Sequence, residues 1–130
     1  MKVIEGSCHC GAVGFEARFE GAIETSKCNC SICTKTRFWK TLVSAEAFTL
    51  LKGKDALQTY RFGSEYVAHH TCGTCGVKVY GTVPMEDMDL VAISVTCLNL
   101  DPEELAGLRL SFEDGRNDAH QDAPAITSYL

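Results

Sequence analysis

The run Cys72-Gly73-Thr74-Cys75-Gly76 decides how the rest of this chain is read. In Cys-x-x-Cys-Gly the backbone turns tightly enough for both sulfurs to reach one ion at about 2.3 Å, and the glycines supply the conformational freedom the turn needs. Two further clusters lie upstream, Cys8-His9-Cys10-Gly11 and Cys28-Asn29-Cys30-Ser31-Ile32-Cys33. Residues i and i+2 of a regular strand share a face but stand about 6–7 Å apart, too far for one ion. The chain must therefore curl at Cys8–Cys10, where Gly11 and Gly14 make curling easy. One Cys-x-Cys pair is a weak signal. Two of them beside a Cys-x-x-Cys, in only 130 residues, are hard to ascribe to chance.

Whether eight cysteines mean metal or disulfides depends on the redox compartment. The opening Met1-Lys2-Val3-Ile4-Glu5-Gly6 is too short and too quickly charged for a signal peptide, and no stretch approaches the roughly 20 apolar residues of a membrane span. The sequence reading is therefore a cytoplasmic chain that engages no membrane and keeps its thiols reduced, with metal binding preferred over disulfide pairing. Counting ligands then divides the cysteines. Cys8, Cys10, Cys72 and Cys75 supply four thiolates, the closed tetrahedral set of a structural zinc; bridging Cys10 to Cys72 staples positions 62 residues apart. Cys28, Cys30 and Cys33 supply three, and three protein ligands with an open fourth position is the arrangement of a catalytic zinc. Two Zn2+ ions per chain are expected. The fourth position of the trio has other claimants: Cys97, at the end of an apolar strand, or one of His69 and His70. In an alternating strand that histidine pair reads as one packed ring and one solvated ring. His9 reads as an exposed spacer, and His120 lies in a polar tail without signal.

The remainder of the chain reads as a single domain of ordinary globular composition, 45% hydrophobic and 22% charged, with residues 114–130 a loop-rich tail. Strands are expected at Ala12–Phe19, Phe38–Val43, Leu57–Phe62, Tyr66–Thr71, Val77–Val83, Asp89–Cys97 and Leu108–Phe112, and a short helical turn within Ala45–Leu51. Asp101-Pro102-Glu103-Glu104 starts a short helix, with Asp at the N-cap and Pro in the first turn. Many short strands and very short helices make the fold class mainly β, a zinc-bound antiparallel domain. The net charge of −5 opposes binding to a phosphate backbone, so nucleic acid is not an expected partner. Against that acidity, Lys27, Lys35, Arg37 and Lys40 gather around the three-cysteine block with Phe38 and Trp39 between them. Lys27, Lys35, Arg37, Trp39 and Lys40 are accordingly candidate contacts for an anionic substrate, the other reading being a solvated face.

The three blocks Gly6-Ser-Cys-His-Cys-Gly-Ala-Val, Cys28-Asn-Cys-Ser-Ile-Cys-Thr-Lys and Cys72-Gly-Thr-Cys-Gly, in this order, resemble the glutathione-dependent formaldehyde-activating enzyme family, which includes the centromere protein V group. The resemblance runs over roughly residues 3–115, and Asp114-Gly115-Arg116-Asn117-Asp118 resembles a fragment that several members carry. Where members usually have an aromatic residue before the third block, this chain has Thr71. The resemblance implies a β-tent fold, a structural zinc on Cys8, Cys10, Cys72 and Cys75, and a second zinc on Cys28, Cys30 and Cys33. It implies a carbon–sulfur lyase activity, the reversible condensation of glutathione with formaldehyde, so a small-molecule thiol and a small aldehyde are the expected partners. Candidate proton donors are Ser31, Thr34, Tyr60, His69 and His70. A zinc-stabilised module that holds a thiol or a protein partner without turnover is the alternative in a different class.

Overall fold

The computed structural model describes residues 1–130 as two β-sheets with two short helices. The smaller sheet has three strands. β1 (Lys2–Ser7) pairs antiparallel with β2 (Gly14–Phe19), and β2 pairs antiparallel with β5 (Phe48–Lys52). The larger sheet has seven: β3 (Glu24–Cys28), β4 (Trp39–Ser44), β6 (Leu57–Tyr60), β7 (Ala68–Cys72), β8 (Lys78–Val83), β9 (Leu90–Ser94) and β10 (Arg109–Glu113). Their spatial order is β10-β3-β4-β9-β8-β7-β6. The fold is mainly β with very short helices, as the sequence indicates. The expected antiparallel pairing holds everywhere except at one edge, where β10 runs parallel to β3 with Ser111 opposite Ser26. A parallel neighbour needs a long connection, and here most of the chain separates the two strands.

Several element boundaries differ from the sequence reading. The strand expected from Asp89 to Cys97 ends at Ser94, and Val95–Cys97 winds into a 3-10 turn. The helical turn at Ala45 lasts only to Ala47 before β5 begins. The strand expected over Tyr66–Thr71 lies at Ala68–Cys72. β1, β3 and the helix α1 (Ser31–Thr36) carry too little periodicity to be read from sequence. The helix at Asp101 forms as α2 (Pro102–Ala106), closed by a reciprocal cap: Asp101 Oδ1 accepts from the Glu104 N–H at 2.7 Å, and Glu104 Oε1 accepts from the Asp101 N–H at 3.1 Å. No helix is long and apolar enough to cross a membrane.

The main core includes Val13, Phe15, Ala17 and Phe19 around β2, with Val43, Val79, Val91 and Ile93 from the larger sheet. Phe15, fully buried, stacks on Phe48 at 5.3 Å, and Phe48 meets Tyr80 at 4.6 Å. Gly6 is obligatory, because a Cβ there would collide with the Phe15 ring and the Cys97 carbonyl. Along β4 the buried Thr41 and Val43 alternate with Lys40 and Leu42, which turn to the other face. That second face carries the site described next.

Candidate metal centres

The first cluster forms where β1 ends and the β7–β8 turn returns. The thiols of Cys8, Cys10, Cys72 and Cys75 lie within 4.8 Å of one another. Cys8 Sγ is 3.7 Å from Cys10 Sγ, and Cys10 Sγ is 3.8 Å from Cys72 Sγ. Four sulfurs held tetrahedrally at about 2.3 Å from one ion stand about 3.8 Å apart, so this donor set fits a zinc-sized cation. A disulfide needs about 2.05 Å and is excluded for these pairs. The curl anticipated at Cys8–Cys10 is made by Gly11 at φ +82°, and Gly76 at φ +79° closes the opposite turn. The N–H groups of Val13 and Cys75 donate to the sulfurs of Cys8 and Cys72 at 3.3 and 3.5 Å. Burial raises the Cys8 thiol, but the Val13 N–H and the Cys10 and Cys72 thiols outweigh it and leave it below its ordinary value. The N–H groups of Cys10 and Val77 hold Cys75 at about 6.

The second cluster comprises Cys28 at the end of β3, Cys30 at the N-cap of α1 and Cys33 inside that helix, again with sulfurs within 4.8 Å of one another. Hydrogen bonds from Cys28 and Cys33 pull the Cys30 thiol far below its ordinary value, while Cys28 and Cys30 push Cys33 far above. Three thiols thus release a first proton readily and resist releasing the last. A metal cation is what would stabilise all three as thiolates, and the trio could hold one.

Behind the trio lies the start of the polar tail. Asn29, 4% exposed, donates from Nδ2 to Asp114 Oδ1 at 2.8 Å and accepts from the Arg116 N–H at 2.9 Å, while its own N–H donates to the Glu113 carbonyl at 3.2 Å. This clamp presses Gly115 against the cluster so closely that a Cβ there would stand 2.5 Å from Cys28 Sγ and 3.0 Å from the His120 ring. Glu113 and His120 come within 4.8 Å of Cys28 Sγ, close enough to contribute to a metal site.

The trio forms one wall of a cavity of about 450 Å3. Two cationic side chains line it. Lys40 Nζ donates to Glu113 Oε2 at 2.8 Å and to Ser26 Oγ at 2.9 Å, and His120 Nδ1 pairs with Glu113 Oε1 at 3.1 Å. Burial raises the Glu113 carboxyl, but Lys40, Ser26 and His120 overcome it and hold the group below its ordinary value. Lys78 has no carboxylate partner. Its Nζ lies 3.8 Å from the Phe38 ring centroid and donates to His69 Nδ1 at 2.9 Å. Burial lowers Lys78, against the opposing pull of the Cys33 and Cys30 thiols. Burial, then Lys78 and His70, push His69 down to about 4, so near neutral pH its Nδ1 accepts from Lys78 and its proton is on Nε2.

The remaining candidates scatter. Lys27 and Arg37 donate to the backbone oxygen of Leu130 at 3.4 and 3.3 Å, and Lys27 lies over the Trp39 ring at 5.7 Å. The Trp39 indole Nε1 is buried without a partner, and Lys35 is exposed on α1. Of the basic-aromatic run, only Lys40 and Phe38 line the cavity. Cys97 does not join the trio; it packs in the main core with Cys8 and Cys72, its Sγ 3.7 Å from the Lys78 carbonyl oxygen. His69 is the packed ring of the pair, and His70 is the more exposed one, half-buried between Thr59 and Thr82 at 3.0 and 2.6 Å. Thr34 Oγ1 is committed to the Asn29 carbonyl at 3.0 Å, and Ser31 and Tyr60 are exposed. Sequence reasoning missed Lys78, Glu113, Gly115 and His120. Lys78 had one available signal, a lone lysine inside an apolar strand after the Cys-x-x-Cys-Gly turn.

Two comparisons with known proteins bear on the fold and the family of this chain. A crystal structure of a Rhodobacter sphaeroides protein superposes with a TM-score of 0.71 at 25% identity, covering 82% of this chain and 99% of that one. The model of the family described as glutathione-dependent formaldehyde-activating enzyme matches residues 3–111, a span that contains all three cysteine blocks. This chain belongs to the glutathione-dependent formaldehyde-activating enzyme family.

Proposed function

We propose that this chain holds a structural zinc on Cys8, Cys10, Cys72 and Cys75 and a second zinc on Cys28, Cys30 and Cys33, and that the cavity beside the second joins a thiol reversibly to formaldehyde or a related small aldehyde. Glutathione is the thiol named by the family description. The observation that carries this reading is the placement of three convergent thiols and an ammonium without a carboxylate partner, Lys78, on one cavity with mostly apolar walls.

In this reaction the thiol sulfur bonds to the carbonyl carbon, the C=O π pair moves to oxygen, and the thiol proton ends on that oxygen. Nothing is oxidised or reduced. Zinc, when bound, supplies the charge that keeps an arriving thiol deprotonated near neutral pH. Lys78 is the residue placed to meet charge developing on the carbonyl oxygen, since burial strengthens its field and no carboxylate cancels it. His69 fixes the Lys78 ammonium through Nδ1. Its ring, neutral near pH 7, accepts that hydrogen bond without adding charge beside the ammonium. Lys40 is neutralised by Glu113 and acts instead to hold the tail against the trio. The walls beside the adduct are mostly apolar.

Elemental analysis of natively purified protein is expected to give two zinc ions per chain. NMR exchange spectroscopy on glutathione and formaldehyde is expected to show faster interconversion with their adduct when the protein is added. No saturable thiol binding together with no gain in exchange rate would remove the reaction from consideration.

A further inference from the structure

The cavity beside Cys28, Cys30 and Cys33 is less polar than formaldehyde requires. Its volume of about 450 Å3 must take the thiol as well as the aldehyde, so its lining rather than its size bears on the aldehyde, and a one-carbon aldehyde has no apolar group to place against that lining. Its floor is a cross-strand row. Leu42 on β4 pairs with Ala92 on β9, Ala92 with Gly81 on β8, and Gly81 with His69 on β7. The small residues in the middle keep this row low. Leu42 rises at one end, and at the other the Phe62 ring stacks on His69 at 5.6 Å. Leu90 and Val83, paired with each other in the neighbouring row, extend the apolar surface. Leu42 and Phe62 remain 49% and 40% exposed, so an apolar occupant would gain from removing their surface from water. No cation is spare for a charged tail: Lys40 is paired with Glu113, and Lys78 is assigned to the carbonyl end.

We infer that the aldehyde partner carries an uncharged aliphatic or aromatic group of several carbons. That group seats over Ala92 and Gly81, between Leu42, Val83, Leu90 and Phe62, with its carbonyl end toward Lys78 and the cysteine trio. This inference rests on the thiol–aldehyde reading of the site and names the substrate class within it. The carboxylates of a thiol such as glutathione then lie outside the apolar floor.

The test uses the zinc-loaded full chain in two arms. In the first, kcat/KM is measured for straight-chain aldehydes from propanal to hexanal, whose intrinsic reactivities are alike, with one thiol held constant. Each methylene that enters the pocket is expected to raise the value about fourfold, roughly sixtyfold across the series; a flat or falling series overturns the inference. In the second, the matching alcohols, which cannot react, are titrated while the methyl NMR signals of Leu42, Val83 and Leu90 are followed. Affinity is expected to tighten with chain length and those methyls to shift. Should no thiol–aldehyde pair turn over, the alcohol arm decides alone: tightening with length keeps the apolar ligand and removes the reaction class, and no length dependence overturns the inference as well. Leu42→Asn, at a half-exposed position, is expected to reduce the gain per methylene. An undiminished gain in that variant would overturn the seat assigned here.

Discussion

Gly115→Ala separates the two metal sites with one methyl group. Gly115 is not in the left-handed region, so alanine imposes no backbone strain there, and the effect is purely steric. The new Cβ would stand 2.5 Å from Cys28 Sγ, 0.9 Å short of the 3.4 Å at which ordinary contact begins, with the His120 ring at 3.0 Å and Cys30 Cβ at 3.3 Å. The tail cannot simply swing away, because Asn29 holds it at Asp114 and Arg116, and the Asp114 N–H donates to the Ala119 and Asp122 carbonyls. Metal–sulfur distances tolerate only about 0.2 Å, so a displacement near 0.9 Å falls on the second ion. Overpacking of this kind costs about 1–3 kcal/mol. Charged to metal affinity, that is a weakening of roughly 5- to 150-fold. A competition titration with a chromophoric chelator reads both ions in one experiment, the four-cysteine site serving as internal control. The expected result is a weakened second ion and an unchanged first. If both ions weaken equally, or the second stays within threefold of the parent, the argument that the tail braces the trio is refuted.

The other predictions use the same contrast between scaffold and site. Cys72→Ser removes a ligand that is fully buried in the core and is expected to abolish folding, since a structural zinc contributes about 10–16 kcal/mol where a domain has about 5–15 in total. Cys30→Ser should leave a folded chain lacking only the second ion, and circular dichroism melts of the two variants that coincide would contradict the four-plus-three division. Lys78→Met keeps an apolar stem against Phe38 but loses the ammonium; kcat/KM is expected to fall roughly 10²- to 10³-fold at unchanged zinc content, and a rate within fivefold of the parent would show that Lys78 does not serve the oxygen. His69 titrates near 4 in the folded chain against an ordinary 6.5, so between those values the unfolded chain binds a proton that the folded one refuses. Stability then falls as pH drops through that window. Urea midpoints of His69→Gln should depend less on pH there than those of the parent, and parallel curves would place His69 outside the buried pair.

The cysteine clusters could be read from sequence because the turns that bring each motif's own thiols together are local. Cys-x-x-Cys-Gly and Cys-x-Cys-Gly fix their own turns, and counting ligands paired Cys8 and Cys10 with Cys72 and Cys75 without knowledge of the fold. The alternating β2 was legible for the same reason, and β4 from its aromatic and β-branched residues. The cavity was not, because register and long-range hydrogen bonds build it. Lys27, Trp39 and Lys40 are close in sequence terms, yet β3 pairs Lys27 with Trp39 and Ser26 with Lys40, so only Lys40 turns toward the trio. Glu113, Gly115 and His120 arrive through the single parallel pairing and through Asn29, whose partner Asp114 is 85 residues away. These three lie beyond residue 111, where the family match ends. A slip of β4 by one residue would turn Thr41 and Val43 toward the cavity in place of Lys40 and Leu42. The lining of the cavity therefore depends on sheet register, which no local spacing of cysteines specifies.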